Sequence, residues 1–136
     1  MSNIERTLSI IKPDAVERNL DGQIKDMFLS NGFTIVQEKK IKIEKLEAEK
    51  FYKVHETKPF YNDLCTYLSS GPIVVMPLEK ENAILANREL MGSTNPKDAA
   101  QGTIRKKFGI SIDKNSVHGS DSVENAKIEI DFFFKS

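Results

Sequence analysis

The sequence predicts an α+β fold: a ferredoxin-like βαββαβ antiparallel sheet with helices packed on it, plus an inserted helical segment and a C-terminal helix. Three observations support this class. One apolar run is typical of a central strand, several segments repeat apolar residues at helical spacing, and strands and helices follow each other in the order of a split βαβ unit. A doubly wound parallel sheet is the alternative.

The first strand and helix are predicted around a proline corner. Residues Arg6 to Ile11 (RTLSII) are typical of a strand. Pro13 lacks a backbone donor and suits the first turn of a helix, so a helical corner follows the strand. From Asp21 to Asn31 apolar residues recur at helical spacing, and Gly32 is the expected C-terminal cap.

A second strand and two helices are predicted next. Thr34 to Ile43 predicts the strand, and the polar residues Glu38 to Lys40 suggest that it leaves the sheet there. Glu44 to His55 is helical by composition, and Pro59 breaks that pattern. A further helix is expected from about Tyr61 to the SSGP turn.

The predicted central strand opens the second half of the chain. Pro72 to Leu78 (PIVVMPL) is almost wholly apolar, which is typical of a strand covered on both faces. Glu79 to Leu90 predicts a helix. Residues 91–102 (MGSTNPKDAAQG) predict a long ordered loop, and such loops in compact domains are often functional.

The remaining elements are a short helix in GTIRKKF, a brief strand in SVH and a final amphipathic helix that begins at SDS. Asp121 with Glu124 three residues later fits an acidic capping box at the start of this helix. The helix is expected to pack on the sheet, because its apolar residues keep helical spacing almost to the C-terminus.

Composition limits the classes of function. The 136 residues suit a single domain, 1–136, and 39% apolar with 29% charged residues is typical of a globular protein. No apolar run could span a bilayer and no export pattern opens the chain, so the cytoplasm is the expected location. Twenty basic residues balance twenty acidic ones, which does not favour nucleic acid as the main partner. The single cysteine, Cys65, is expected to be buried.

The stretch NSVHGSDS, residues 115–122, places His118 at the end of a strand and directly before a helix. A lone histidine is more often structural or on the surface. Free N–H groups at a helix N-terminus favour an anion, however, and a neutral imidazole is a good nucleophile. Glu129 could return from the helix to orient the ring, and Ser120 could bridge or cap, although Glu129 could equally be an ordinary solvated glutamate.

Several residues could supply the contacts that phosphate and a base require. Arg88 and Arg105 flank the polar loop, and the guanidinium fork suits bidentate phosphate binding. Thr94 could donate to a phosphate oxygen, and Lys12 could add charge at the strand-to-helix corner. Phe60 could stack on a base. Each of these residues taken alone could also be an ordinary surface residue.

The sequence contains neither GxxxxGK[ST] nor GxGxxG, which excludes a Walker-type loop as the means of binding a nucleotide. It also lacks a His and Cys cluster with zinc-ligand spacing. The metal that fits the remaining chemistry is Mg²⁺, held mainly by substrate phosphates.

The chain closely resembles nucleoside diphosphate kinases in four stretches: ERTLSIIKPDAV, KPFYNDLCTYLSSGPIVVMPLE, MGSTNPKDAAQGTIR and NSVHGSDSVENAKIEI. The match runs in order from about Ile4 to Phe134. The resemblance implies transfer of the γ-phosphate of a nucleoside triphosphate, typically ATP, to a nucleoside diphosphate by a ping-pong route through a phosphohistidine. It also implies broad base and sugar tolerance and a role in maintaining NTP and dNTP pools.

The resemblance also implies a role for each matching residue. His118 would be the pros-phosphohistidine nucleophile, Glu129 and Ser120 would orient and support the imidazole, and Tyr52 would help to position it. The implied nucleotide-binding residues are Lys12 and Asn115 at the ribose, Phe60 on the base, Arg88 and Thr94 on the inner phosphates, and Arg105 on the terminal phosphate.

The family forms homo-oligomers built from dimers, either hexamers or tetramers. The chain stops at Ser136, whereas many members have a longer C-terminal extension that packs on a neighbouring subunit, so the sequence does not choose between these assemblies. Lys106 and Lys107 add positive charge beside Arg105, which suggests that the triphosphate binds more tightly and that its binding depends more strongly on ionic strength.

Two other classes of function are compatible with parts of the sequence. A histidine phosphocarrier that passes phosphate to a protein would need the nucleophile but not the base and phosphate contacts. A nucleic-acid-binding or scaffolding protein could use the same type of sheet. The neutral net charge and the absence of an aromatic RNA-binding strand argue against the latter.

Overall fold

A computed structural model of the protein describes residues 4–53, 56–110, 114 and 116–134. The strands are β1 (Ile4–Ile11), β2 (Thr34–Ile35), β3 (Lys39–Ile41), β4 (Ile73–Glu81) and β5 (Val117–Gly119). The helices are α1 (Pro13–Glu17), α2 (Asp21–Ser30), α3 (Lys45–Phe51), α4 (Tyr61–Leu68), α5 (Ala83–Met91), α6 (Ile104–Phe108) and α7 (Val123–Phe134). A 3-10 turn at Pro96–Asp98 lies within the loop between α5 and α6.

The sheet has the strand order β2-β4-β1-β5, and β3 pairs with β4 beyond β2. All of these pairs are antiparallel. Because β2 and β3 are two parts of one edge, the arrangement is the ferredoxin-like βαββαβ sheet that the sequence predicts. The alternative of a doubly wound parallel sheet is wrong.

The edge formed by β2 and β3 is interrupted by a bulge. Ile35 faces Leu78 and Lys39 faces Val75, so residues 36–38 lie opposite residues 76 and 77. An extra residue on one strand bends that strand and separates the two short ladders. The predicted strand from 34 to 43 is therefore two strands, and the expectation that its lysines leave the sheet is wrong.

Burial explains why β1 and β4 form the centre of the sheet. Residues 7–11 of β1 and residues 73–78 of β4 are all buried, so both strands are covered on both faces. Leu8 and Ile10 belong to the core on the face of α3, α4 and α7. Ile11 belongs to the other core, together with α2, α5 and α6. Successive side chains of β1 point to opposite faces of the sheet, so this alternation determines which group of helices each residue contacts.

Several predicted boundaries differ from the structure. Helix α3 ends at Phe51 rather than at His55, and residues 79–81 extend β4 instead of starting α5. Asn82, with a φ of 53°, makes the turn between β4 and α5. The first turn of α7 is capped by Ser122 Oγ, which accepts from the backbone N–H of Asn125 at 3.1 Å, and not by Asp121.

Other local predictions are confirmed. Helix α2 ends before Gly32, whose φ of 85° is the left-handed conformation that glycine favours at this position. Pro13 opens α1, and Cys65 is fully buried. Among the described residues, no helix combines the length and the apolar character needed to cross a bilayer.

Candidate active site

His118 lies on the short edge strand β5, directly opposite Ile10 of the central strand β1. Beyond the strand, the backbone N–H of Ser120 donates to Leu8 O at 3.2 Å, and the backbone N–H of Leu8 donates to Ser120 Oγ at 3.0 Å. These two bonds attach Ser120, at the end of the histidine segment, to the central strand β1. The imidazole is 20% exposed, so it has a rigid support and an open side.

A carboxylate from helix α7 holds the ring. Glu129 Oε1 lies 3.1 Å from His118 Nε2 and accepts a hydrogen bond from Ser120 Oγ at 2.8 Å. A carboxylate can only accept, so this contact assigns the proton of the neutral imidazole to Nε2. The lone pair of a nucleophile is then on Nδ1.

Two aromatic residues at the end of α3 complete the surroundings of the ring. Phe51 contacts His118 edge to face, with ring centroids 5.4 Å apart. Tyr52 is buried beside it, and burial, with the charge of Glu129 second, raises the pKa of Tyr52 above its ordinary value. The phenol therefore stays protonated near the carboxylate. The sequence prediction selected Tyr52 and missed Phe51, because an aromatic residue on a helix flank looks like ordinary core.

Arg105 is a buried cation that contacts the histidine strand. Its Nη2 donates to Val117 O at 2.8 Å and its Nη1 donates to Gly92 O at 3.1 Å. Its Nε is buried and has no hydrogen-bond partner in the described part of the chain. Burial, with the positive charge of Arg88 second, lowers the pKa of Arg105 to about 10. The guanidinium is still charged at neutral pH, and these two bonds use two of its five N–H donors.

The other predicted phosphate and ribose contacts that the structure describes differ in exposure. Arg88 is exposed near the end of α5, and Thr94 is exposed in the loop that follows. Lys12 is buried at the start of α1, where its backbone N–H donates to Ser116 O at 2.8 Å. Asn115 lies outside the described residues.

Phe60 lies at the start of α4 and is 47% exposed. It lines a cavity of about 230 Å³ with Leu64 and Tyr67. A different cavity, of about 340 Å³, borders the imidazole and is lined among others by Phe51, His118 and Glu129. The structure thus gathers His118, Ser120 and Glu129 at one point, whereas Phe60 lies in the wall of a separate cavity.

The sequence prediction also missed a polar residue behind β5. Asn87 of α5 is fully buried, and neither atom of its amide has a hydrogen-bond partner among the described residues. Its amide packs so closely on Gly119 that a Cβ at this glycine would overlap it and would lie 2.7 Å from Met91 Cε. A side chain at this position would therefore require Asn87 and Met91 to shift. No sequence pattern distinguishes Asn87 from an ordinary helix residue.

The described residues include no group of three or more His, Cys, Asp or Glu side chains that could hold a metal ion. Besides Glu129, the acidic side chain that lines the cavity at His118 is Asp121, which accepts from Asn125 Nδ2 at 2.6 Å.

An imidazole held through one nitrogen, whose other nitrogen has no hydrogen-bond partner among the described residues, and a buried guanidinium beside its strand suit a phosphotransferase with a histidine nucleophile. Comparison with known proteins agrees. The family model described as nucleoside diphosphate kinase matches residues 5–136. The nucleoside diphosphate kinase of Campylobacter concisus (strain 13826) is 62% identical over 133 residues, covering 98% of this chain and 97% of that protein.

Solved structures give the same result. An orthorhombic crystal form of the Aquifex aeolicus nucleoside diphosphate kinase superposes with a TM-score of 0.96 at 43% identity, covering 98% of this chain and 96% of that chain. The crystal structure of the nucleoside diphosphate kinase from Encephalitozoon cuniculi superposes with a TM-score of 0.93 at 36% identity. The match covers 97% of this chain and 90% of that chain.

The chain belongs to the nucleoside diphosphate kinase family. It is a nucleotide-binding phosphotransferase that moves phosphate from a nucleoside triphosphate to a nucleoside diphosphate. A ping-pong mechanism through a phosphohistidine is a general property of the family, and its members need a divalent cation. The predicted family, fold class and reaction are confirmed.

Proposed function

We propose that His118 is the residue that carries the phosphoryl group and that Nδ1 is the attacking atom. The contact between His118 Nε2 and Glu129 Oε1, at 3.1 Å, is the observation that carries this proposal. It places the ring proton on Nε2 and leaves the Nδ1 lone pair to form a bond to the γ-phosphorus. The bond from phosphorus to the bridging oxygen breaks, and the nucleoside diphosphate leaves with that electron pair. A second diphosphate then attacks the phosphoimidazole and restores the neutral ring.

The supporting residues act on this ring through Glu129. Ser120 donates to the same carboxylate oxygen that contacts His118 Nε2, so this second hydrogen bond helps to fix the carboxylate. Glu129 stabilises the positive charge that the imidazole gains on phosphorylation. The protonated Tyr52 lies near Glu129 and would help to position the imidazole.

We assign the phosphates of the nucleotide to a set of donors around β5 and the loop after α5. Arg105 would bind the terminal phosphate through its guanidinium, where a fixed positive charge helps the developing negative charge. The remaining contacts are Arg88 and Thr94 on the inner phosphates, Lys12 and Asn115 at the ribose, and Phe60 on the base.

Mg²⁺ is the divalent cation that fits this chemistry, because it prefers oxygen ligands and is commonly bound through substrate phosphates rather than by a protein cage. When bound, it neutralises phosphate charge. The donor set of the described residues fits this assignment, since they offer no cage of three acidic, His or Cys side chains.

In the cell, the protein would act on a broad range of NDPs and dNDPs, with ATP as the typical donor, and would maintain NTP and dNTP pools. A stacking ring and phosphate contacts recognise features that all nucleotides share, which supports this range. We propose a single domain, 1–136, that acts in the cytoplasm as a homo-oligomer built from dimers, either a hexamer or a tetramer. Nucleic acid is not proposed as its main partner.

The experiment that tests the carrier is phosphorylation with γ-labelled ATP. The wild-type chain should form an acid-labile, base-stable phosphoenzyme and release the label as GTP, CTP or UTP when the diphosphates are added. His118→Ala should abolish labelling. His55→Ala is the matched control, because it removes the other histidine of the chain. Labelling that survives His118→Ala would refute the assignment, and label that passes to proteins but not to diphosphates would indicate a phosphocarrier.

A further inference from the structure

The segment that leads into β5 contains an unusual backbone conformation. Ser116, two residues before His118, has a φ of 76° and is fully buried. A residue with a Cβ adopts this left-handed region only when its surroundings hold it there. The direction in which β5 begins, and with it the direction of the imidazole, therefore depends on what holds Ser116.

The contact that holds the Ser116 side chain is the carboxylate of Asp14, in the first turn of α1. Ser116 Oγ donates to Asp14 Oδ2 at 3.2 Å. The same oxygen accepts from Arg18 Nη2 at 3.2 Å, while Asp14 Oδ1 accepts from the hydroxyl of Tyr67. The backbone N–H of Asp14 in turn donates to the Tyr67 hydroxyl at 3.2 Å. Asp14 thus has partners on α1 and α4 in addition to its contact with Ser116.

The position of Asp14 makes this contact specific. Its side chain is 4% exposed, so water does not compete for its oxygens. Arg18 is anchored independently, since its Nη2 also donates to Phe108 O at 2.6 Å. A buried carboxylate with a fixed partner on each side can impose a geometry on a third group, and here that group is the left-handed Ser116.

We propose that Asp14 is a positioning residue for phosphoryl transfer, because its carboxylate keeps Ser116 in the left-handed conformation that directs His118 towards Glu129. This proposal rests on the assignment of His118 as the phosphate carrier. Without the carboxylate, Ser116 relaxes to a negative φ, β5 turns, and Nε2 loses its partner. Asp14 touches no reacting atom in this role.

The sharpest test compares two substitutions of Ser116. Ser116→Ala removes the hydroxyl but keeps the Cβ that opposes a positive φ, whereas Ser116→Gly removes the hydroxyl and adopts this φ freely. The rate of phosphoenzyme formation should fall about 10-fold in Ser116→Ala and stay within about 3-fold of the wild type in Ser116→Gly. Equal rates in the two variants would overturn the proposal.

Asp14→Asn tests the carboxylate itself. This substitution should lower the rate of phosphoenzyme formation about 10-fold in the wild-type background. In the Ser116→Gly background the rate should fall less than about 2-fold, because glycine adopts the positive φ without the contact. The affinity for a non-hydrolysable ATP analogue should change little in all variants. If Asp14→Asn lowers the rate equally in both backgrounds, Asp14 acts elsewhere. If Asp14→Asn does not fold, the Ser116 pair still decides.

A second measurement separates this proposal from the assignment of His118. The chain has two histidines, so the imidazole NMR signals can be assigned with His55→Ala. The His118 signal should move in Ser116→Ala and Asp14→Asn and stay at its wild-type position in Ser116→Gly. Failure of the wild type to form a phosphoenzyme would remove the catalytic assignment but leave this test intact. An unmoved signal and an unchanged rate, with only stability lowered, would show a purely structural role.

Discussion

Glu129→Gln would remove the negative charge beside the imidazole and keep the shape of the side chain. Glu129 Oε1 is 3.1 Å from His118 Nε2, and both side chains are about one-fifth exposed. A hydrogen bond to a charged group contributes about 1.5–3 kcal/mol and a neutral one about 0.5–1.5 kcal/mol. Glutamine keeps the neutral bond, so the loss is about 1–1.5 kcal/mol, and phosphorylation should slow by about 5- to 13-fold. Glu129→Ala loses the whole interaction and should slow it further, by about 13- to 160-fold.

The assay is single-turnover labelling with γ-labelled ATP, stopped in base at millisecond intervals, together with calorimetric binding of a non-hydrolysable analogue. Glu124→Gln is the matched control, because Glu124 is exposed on the same helix and should leave the rate unchanged. Binding should change less than about 2-fold in Glu129→Gln, since the carboxylate acts on the ring and not on the nucleotide. A wild-type rate in this variant would refute the orienting role, and a loss of binding would move Glu129 to the nucleotide site.

Four other variants have defined outcomes. Phe60→Ala should weaken the binding of all nucleotides by about 1–3 kcal/mol, and a loss confined to purines in titrations with four NDPs would contradict stacking. Burial raises the pKa of Tyr52, so the folded state retains a proton that the unfolded state loses near pH 10. Stability must fall above that pH, and Tyr52→Phe should reduce the fall in urea unfolding; an identical pH profile would contradict this. Asn87→Leu should raise the unfolding free energy, because it removes amide atoms that lack protein partners, and a loss of more than about 1 kcal/mol would show that the amide is satisfied. Lys106→Gly with Lys107→Asp should weaken ATP binding and flatten its dependence on ionic strength, whereas unchanged values would refute the proposed salt-sensitive grip.

The fold was predictable where one physical signal dominated the local sequence. The apolar run at the centre of β4 and the proline corner after β1 each had one reasonable interpretation. The predicted boundaries of helices and strands were wrong where the hydrophobic pattern changed gradually along the sequence. Residues 79–81 are polar and look helical, yet the backbone ladder with β1 continues past the end of the apolar run. The bulge at residues 36–38 depends on the register against β4, which no local pattern records.

The site was predictable only in part, because its parts are far apart in sequence. The contact between His118 and Glu129 follows from the docking of α7, and spacing alone left Glu129 undecided between an orienting and a solvated role. Asp14 was not selected at all, since an acidic residue in the first turn of a helix already has a sufficient local explanation in the helix dipole. Its contact with Ser116 spans 102 residues.

The attachment of Ser120 to Leu8 has a consequence for how the protein is made. The contact between Leu8 and Ser120 Oγ joins residues 112 positions apart, and the carboxylate that accepts from Ser120 lies later still, in α7. A chain emerging from the ribosome therefore cannot assemble its histidine site until nearly all of it has been synthesised. Central strands that pair over such separations form slowly, since loop closure precedes the gain from pairing. Uptake of labelled phosphate during synthesis would thus report the moment at which residue 129 has left the ribosome and the last helix docks.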